Sequence, residues 1–263
     1  MAAAITAGID GEWLRRMAEG DPVRHAWALW DLERFPDRVE FATLREDGDP
    51  TAYLLIWRGA PRVAVVHWVG ESRDPQLLLA ALPPRPLIAV VPEALGPAVV
   101  QRRGPAKLSA VLLMRHERGF PVPAARDGVA RRLGPADTDA LRAFGRAYPD
   151  LLTAPYASLD PGRERLFGAF HEGRLAAVAR AQVTLPAVWV IGGVYTAPGR
   201  RGLGLGFEVT RATVLAALSA GAIPALYVKE ENVPAVRIYE RLGFRLLERR
   251  AWIDATAPAA VPP

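Results

Sequence analysis

Three alternating glycines, Gly202, Gly204 and Gly206, follow the strand-like run Val188–Tyr195 and precede a helix-like run. Glycine lacks a Cβ atom, so successive backbone N–H groups in such a segment can point toward one centre. The N-terminal end of the following helix adds a positive partial charge. The sequence therefore predicts an anion cradle made of backbone amides, and a pyrophosphate is the anion that suits it.

The common phosphate-binding patterns do not fit this cradle. A dinucleotide fingerprint needs Gly or Ala where the two possible registers place Phe207 and Val209, and a P-loop needs a lysine that is absent here. The pattern Arg-x-x-Gly-x-Gly does fit, with Arg201, Gly204 and Gly206. The arginine and glycines together predict a site for a carrier of phosphate groups that is neither a dinucleotide nor a nucleoside triphosphate.

A second block of residues follows after one helix and one strand. It reads Asn232-Val233-Pro234-Ala235-Val236-Arg237-Ile238-Tyr239-Glu240-Arg241-Leu242-Gly243-Phe244. Asn232 is a suitable helix N-cap with Pro234 in the first turn. The spacing predicts a buried stripe of Ala235, Ile238 and Leu242, with Tyr239 beside it.

The two blocks, in this order, resemble the GNAT superfamily of acyl-CoA-dependent N-acyltransferases. The resemblance covers about residues 128–253. It is nearest to the branch similar to glycine N-acyltransferases, in which a degenerate α/β half precedes the active one. It implies an α/β (α+β) fold with a mixed sheet, built as two tandem GNAT-like halves of which the first is degenerate.

The resemblance also implies a co-substrate, acetyl-CoA or another acyl-CoA, and a set of residues that bind it without a metal ion. The backbone of Val194 and Thr196 would hold the pantetheine arm. The remaining cofactor-binding residues would be Arg201, Gly202, Leu203, Gly204, Leu205 and Gly206 around the pyrophosphate, with Asn232 and Ala235 at the later helix.

The reaction implied is direct attack of a primary amine on the thioester, with Tyr239 as the general acid for the departing thiolate. The acceptor is expected to be a small molecule or a peptide. The general base is left open, because Val188–Tyr195 contains no acid. Glu230, Glu231, His171 and a chain of water molecules are the alternatives.

Strand and helix patterns alternate along both halves of the chain, and the linker-like segment His116–Asp127 separates them. We therefore expect an N-terminal degenerate GNAT-like domain over 1–120, a C-terminal N-acetyltransferase domain over 126–255 and a disordered tail over 256–263. A helix is predicted to start at Asp21-Pro22. The helix after the glycines is predicted to turn Phe207, Val214, Leu215 and Leu218 toward the core.

The first half lacks the residues that carry this chemistry. Its strand-to-helix junction, Trp68–Pro75, contains one glycine and the acids Glu71 and Asp74, which would repel a phosphate. We therefore expect one cofactor site per chain, with the first half forming a wall of the acceptor site or an oligomer interface. A monomer and a homodimer both remain open.

Composition excludes several other classes. The 263 residues contain no cysteine and four scattered histidines, which excludes thiolate nucleophiles and argues against a metal site. The net charge is +5, but the arginines are dispersed, which argues against a nucleic-acid partner. No segment has the length and apolarity of a membrane span, so a cytoplasmic protein is expected. The alternative function is an acyl-CoA-binding sensor or scaffold without catalysis.

Overall fold

The computed structural model describes residues 3–59, 63–84, 86–124, 126, 128–148 and 159–256. The chain forms two compact units. Unit 1 comprises the described residues up to Leu113, Lys229–Glu231, and those from Leu247 onward. Unit 2 comprises Met114–Val228 and Asn232–Leu246. The chain thus enters unit 2 within one strand and returns to unit 1 within another.

Unit 1 is built on a mixed sheet. Its helices are α1 (Gly11–Gly20), α2 (Ala26–Arg34), α3 (Pro75–Ala81) and α4 (Gly96–Arg103). Its strands are β1 (Ala4–Ala7), β2 (Val39–Glu46), β3 (Asp49–Trp57), β4 (Ala64–Gly70), β5 (Leu87–Pro92), the first part of β6 (Lys107–His116) and the last part of β12 (Phe244–Ala255). The order is β1-β2-β3-β4-β5-β12, in which only β4 and β5 pair in parallel.

Unit 2 is also built on a mixed sheet. Its helices are α5 (Thr138–Ala147), α6 (Leu205–Ser219) and α7 (Val233–Arg241). Its strands include β7 (Ala130–Arg132), β8 (Arg165–His171), β9 (Arg174–Thr184), β10 (Val188–Thr196) and β11 (Ile223–Lys229), in the order β11-β10-β9-β8-β7. The predicted mixed α/β class is therefore confirmed. None of the helices in the described part of the chain is long and apolar enough to cross a membrane.

The two faces of the unit 2 sheet carry different helices. On one face, Leu205, Val209 and Ala217 of α6 pack with Ala177 and Ala181 of β9. On the other face, the α5 side chains Leu141 and Phe144 pack against Val178, Leu166 and Tyr195. Alternate residues of each strand therefore face α5 or α6, as the two-residue period of a strand requires.

The apolar face predicted for α6 is partly wrong. Val214 is fully buried, but Leu215 and Leu218 are each 37% exposed. Thr210 and Thr213 occupy buried positions instead, because their hydroxyls donate to the carbonyls one turn earlier. Because their hydroxyls are satisfied within the helix, these threonines can occupy buried positions of α6 while the two leucines stay partly exposed.

The helix predicted at Asp21-Pro22 begins later, at Ala26. The Asp21 carboxylate accepts the Arg24 N–H at 3.1 Å and pairs with the Arg24 guanidinium, which closes a turn between α1 and α2. Asp21 thus ends α1 rather than starting α2.

The domain limits at residues 120 and 126 stay a prediction. The two compact units do not divide at these residues, because the last part of β12 belongs to unit 1, where it pairs with β5. Of the predicted tail, 256–263, only Thr256 lies within the described residues.

Candidate functional site

Two parallel strands of unit 2 separate partway along their length. Val188–Ile191 of β10 pairs with Ile223–Leu226 of β11, and no pairing follows although both strands continue. On its other side, β10 stays paired with β9 as far as Thr196. The part of β10 after Ile191 therefore lies beyond the register that pairs with β11, but it keeps β9 as its neighbour as far as Thr196. Val194 and Thr196 lie on this segment.

Two irregularities in the β9–β10 pairing flank the separation. Val190 pairs with Val183 and Ile191 with Ala181, so Gln182 is an extra residue on β9. A second shift lies on β10 between Gly192 and Tyr195. Bulges of this kind bend a strand and redirect side chains, and they are frequent next to active sites.

The glycine segment follows directly. A 3-10 turn at Pro198–Arg200 leads to Gly202 and Gly204, whose φ angles of 79° and 76° are favourable for glycine. Gly204 is the N-cap of α6 and supplies no side-chain cap. The first N–H groups of α6 have no acceptor inside the helix, so they are available to an external anion.

Close packing, and not backbone conformation, explains why residue 206 is a glycine. A Cβ atom there would lie 3.0 Å from the Thr196 hydroxyl oxygen and 3.7 Å from Ile238 Cδ1. The absence of a side chain thus lets the end of β10 approach the first turn of α6 closely.

The predicted arginine, Arg201, has an exposed side chain near the end of β10. Its Nε lies 3.4 Å from the Thr196 carbonyl oxygen, and its guanidinium is 5.9 Å from the Tyr195 ring centre. The neighbouring Arg200 pairs with Glu172 at 2.6 Å, which ties the segment to the β8–β9 turn. Among the residues described, Arg201 forms no ion pair with a carboxylate, whereas Arg200 does.

Sequence reasoning missed a second arginine at this segment. Arg126 Nη2 donates to the Leu203 carbonyl oxygen at 2.8 Å, and Arg126 Nε pairs with Glu208 at 3.1 Å. A Cβ atom on Gly204 would lie 2.9 Å from Arg126 Nη2, so the guanidinium lies against the N-terminus of α6. No sequence signal pointed to this contact, because the Glu208 carboxylate also has a cationic partner in its own helix, Arg211 at 3.5 Å.

The helix α7 carries the predicted tyrosine. Asn232 caps it, accepting the Ala235 N–H at 3.4 Å. Tyr239 is the most buried residue of α7, with Ala235 and Ile238 only half-buried, so the buried stripe is centred on the tyrosine. The Tyr239 ring lies edge-on to Phe244, with centres 5.9 Å apart.

Burial raises the pKa of Tyr239 to about 12. Removal from water disfavours the phenolate, so the hydroxyl stays protonated at neutral pH. Tyr239 is therefore uncharged in this pH range.

Two of the residues considered as general bases, Glu230 and His171, lie near charged side chains. Glu230 pairs with Arg249 at 2.5 Å, and Glu231 is exposed. His171 Nδ1 lies 3.5 Å from Glu172, whose carboxylate also holds Arg200. No group of three or more potential metal ligands occurs among the residues described.

The comparisons with known proteins agree with this geometry. Residues 136–244 match the family model described as Acetyltransferase (GNAT) family. A curated relative, mycothiol acetyltransferase of Thermomonospora curvata, is 33% identical over 168 residues, which are 56% of this chain. The match spans about half of the relative, 55% of its length.

Solved structures share the fold over nearly the whole chain. A GCN5-related N-acetyltransferase from Sphaerobacter thermophilus has a TM-score of 0.62 at 17% identity and covers 99% of this chain and 98% of its own. A tandem GNAT protein from the clavulanic acid biosynthesis pathway has a TM-score of 0.56 at 19% identity, with 98% and 99% covered. The similarity to the glycine N-acyltransferase branch stays a prediction. Residues 136–244 of this chain are therefore similar to the acetyltransferase (GNAT) family.

Proposed function

We propose that this protein transfers an acetyl group, or another acyl group, from acyl-CoA to a primary amine. The observation that carries the proposal is the separation of β10 from β11, followed by the uncapped N-terminus of α6, within the segment that matches the family. A strand edge without a partner suits the amides of a pantetheine arm. A helix N-terminus without a cap suits its pyrophosphate.

The cofactor would bind along β10 and the glycine segment. Backbone groups of Val194 and Thr196 would bond the pantetheine amides, because they lie on the edge that β11 leaves. The pyrophosphate would accept hydrogen bonds from the amides of Arg201–Gly206. Arg126 would add a positive charge against the negative phosphates.

The chemical step forms a C–N bond and breaks the C–S bond of the thioester. The lone pair of the neutral amine attacks the carbonyl carbon, and the carbonyl oxygen gains negative charge that backbone N–H groups near Val194 would stabilise. The electron pair of the C–S bond leaves with sulfur, which takes a proton. The amine loses one proton to solvent, so that an amide and a free thiol are the products.

Tyr239 is the proposed donor of the proton to sulfur. With its pKa raised to about 12 and a thiol pKa near 8.5, complete transfer to a free thiolate is uphill by about 5 kcal/mol. Donation is therefore expected to proceed with C–S cleavage, through a hydrogen bond that strengthens as charge develops on sulfur. The product thiol then leaves the active site, and solvent returns the proton to the phenolate.

Two measurements test the proposal. Calorimetric titration with acetyl-CoA should give one molecule per chain. A thiol-release assay should then show turnover with at least one amine from a panel of amino acids, peptides, amino sugars and polyamines. Absence of acetyl-CoA binding contradicts the whole proposal.

A second candidate function, an acyl-CoA sensor or scaffold, is favoured by one observation. The β10 strand carries no acid that could act as a general base. Tight acetyl-CoA binding without thiol release for any amine would establish this alternative, and turnover with any amine would remove it.

A further inference from the structure

Gln182 occupies an unusual place in unit 2. As the extra residue of β9, it lies opposite the last part of β10 that pairs with β11. Its side chain extends over Gly192, where an added Cβ atom would be 2.5 Å from the carboxamide carbon. The φ angle of Gly192 is not positive, so its backbone does not require glycine, and a Cβ atom there would displace the flexible end of the Gln182 side chain.

The carboxamide of Gln182 is available for a ligand. Among the residues described, it forms no hydrogen bond, and its atoms are not among the buried polar atoms without a partner. It therefore reaches solvent beside Gly192, the first β10 residue beyond the pairing with β11. In the proposed function, this is the end of β10 where the acyl group meets the acceptor.

The charged groups near Gln182 on the same face are paired with each other. Arg180 pairs with Gly192 across the strands and so shares its face, and Arg180 Nη2 lies 2.6 Å from Glu164. Burial raises the pKa of Glu164, while the attraction of Arg180 opposes that change. The helix α5, which covers this face, turns Leu141 and Phe144 toward the sheet. Gln182 is thus the uncharged polar group beside β10.

A neutral acceptor of hydrogen bonds selects the form of amine that reacts. A carboxylate at this position would stabilise an ammonium ion, whose nitrogen has no lone pair for attack. A carboxamide oxygen accepts an N–H bond from a neutral amine at little electrostatic cost and leaves the lone pair free. The chemistry of Gln182 therefore suits an amine that arrives already deprotonated.

We infer that Gln182 binds the acceptor amine through its carboxamide oxygen, and that the acceptors are weakly basic amines rather than alkylammonium ions. This inference rests on the proposed acyl transfer. Amines with a pKa near 8, such as a peptide α-amine, are partly neutral at physiological pH. An amine with a pKa near 10.4, such as a lysine side chain, is almost entirely protonated.

The test compares two acceptors at several pH values. Glycylglycinamide supplies an α-amine, and Nα-acetyl-lysinamide supplies an ε-amine. At pH 7.5 the neutral fractions differ by about 200-fold, so kcat/KM for the α-amine should exceed that for the ε-amine by about this factor. The preference should then shrink by about five- to sevenfold for each pH unit between 8 and 10. An equal rate for both acceptors across this range would overturn the inference.

Variants of Gln182 test whether this residue causes the preference for the α-amine. Gln182→Ala should lower kcat/KM for both acceptors by about tenfold, and Gln182→Glu should reduce the α-amine preference, because the new carboxylate can take the ammonium proton. Gln101→Glu makes the same change at an exposed position of α4 and should alter neither quantity. Gln182 variants that behave like Gln101→Glu would contradict the inference.

Acetyl-CoA binding separates the possible failures. An unchanged dissociation constant for acetyl-CoA in the Gln182 variants shows that they fold and keep the cofactor site. A loss of the α-amine preference in such a variant then results from altered binding of the acceptor. If Gln182→Glu does not fold, Gln182→Ala and Gln182→Asn carry the test. A wild-type protein that binds no acetyl-CoA, or releases no thiol with any amine, fails at the proposed function itself.

Discussion

Each unit contains a parallel strand pair that leads into a turn and a helix, but the backbone N–H groups of the two turns have different partners. In unit 1, the Glu46 carboxylate accepts the Arg73 N–H at 2.8 Å and the Ser72 hydroxyl at 3.1 Å. Asp74 then caps α3 by accepting the Gln76 N–H at 3.2 Å. In unit 2, Gly204 begins α6 with no side-chain cap.

The strand edges differ in the same way. In unit 1, β4 and β5 pair as far as His67 and Val90, and the next carbonyl on β4, that of Trp68, accepts a hydrogen bond from the Arg250 guanidinium. Glu248 holds that guanidinium at 2.8 Å. In unit 2, β11 leaves β10 after Ile191, and the Arg201 guanidinium that approaches the Thr196 carbonyl, at 3.4 Å, has no carboxylate partner among the residues described. The first junction therefore caps its helix with a side chain, and the second does not.

This difference teaches that similar elements do not imply similar binding. A carboxylate fixed at a turn satisfies its donors and repels phosphate, whereas glycines leave the donors open. Asp74 was expected in the first junction from the sequence, but Glu46, which accepts the Arg73 N–H, comes from β2 and was not predicted. The expectation of one cofactor site per chain stays a prediction, now with a physical mechanism.

The largest expected effect is the loss of kcat on replacing Tyr239, the proposed proton donor. Unit 1 offers no equivalent residue, because its helix after β5, α4, contains no tyrosine. Tyr239→Phe should lower kcat by about 100-fold and leave the acetyl-CoA dissociation constant unchanged within about twofold. Steady-state kinetics and calorimetry measure the two quantities. Tyr195→Phe, the same change on β10, is the matched control, and an equal loss there would remove Tyr239 from its role.

The raised pKa of Tyr239 determines how kcat should depend on pH at the alkaline end. A phenol with a pKa of about 12 keeps its proton until the solution approaches that value. The kcat of the wild-type protein should therefore show no decrease from loss of this proton up to about pH 10. A descending limb near pH 9 that Tyr239→Phe abolishes would contradict the burial of this hydroxyl.

The next largest effect comes from making the unit 2 turn acidic like that of unit 1. Gly202 has open space around it, so Gly202→Asp and Gly202→Asn differ mainly in charge. A carboxylate about 5 Å from two phosphate charges costs about 2 kcal/mol, so Asp should weaken acetyl-CoA binding by about 30-fold relative to Asn. Calorimetry at low salt measures this ratio, and equal affinities would place the phosphates elsewhere.

A smaller effect is expected from Arg126. Arg126→Gln should weaken acetyl-CoA binding by about tenfold, through loss of about 1.5 kcal/mol from one charged hydrogen bond. Arg163→Gln, at an exposed position, should have no effect. Repeating the titration with 3′-dephospho-acetyl-CoA identifies the phosphate: the tenfold ratio persists if Arg126 binds the pyrophosphate and disappears if it binds the 3′-phosphate.

The smallest effect is expected from removing the internal carboxylate of unit 1. Glu46→Gln keeps the shape of the side chain but weakens its bonds to Ser72 and Arg73, so the free energy of unfolding should fall by about 1 kcal/mol. Glu40→Gln, which breaks an exposed pair with Arg58, should cost less. Urea unfolding measures both free energies. Binding of more than one acetyl-CoA per chain by Glu46→Gln would contradict the proposed difference between the junctions of the two units.

The sequence predicted the elements well where the pattern was strong. The strand Val188–Tyr195 and the helices at the two motif blocks lie within one or two residues of β10, α6 and α7. The first strand, Ala4–Ala7, was missed because four residues with two alanines give little strand signal. Local composition thus carries most of the secondary structure.

The site was predictable only in its local parts. The glycines and the cap at Asn232 follow from neighbouring residues. Arg126 and Gln182 could not be found this way, because Arg126 meets a carbonyl 77 residues later, and Gln182 depends on a register shift between two strands. The predicted buried face of α6 was partly wrong for another reason. Hydroxyls that bond within the helix allow threonines to take buried positions that were assigned to leucines.

The return of β12 to unit 1 has a consequence for how the protein is made. Residues Arg250–Ala255 pair with Leu87–Pro92, about 160 residues earlier in the chain. During synthesis, the ribosome completes β5 long before its neighbour exists, so the nascent chain carries an open strand edge through most of translation. Unit 1 therefore acquires its full sheet last although it starts first, and a stop codon before Arg250 would remove the neighbour of β5.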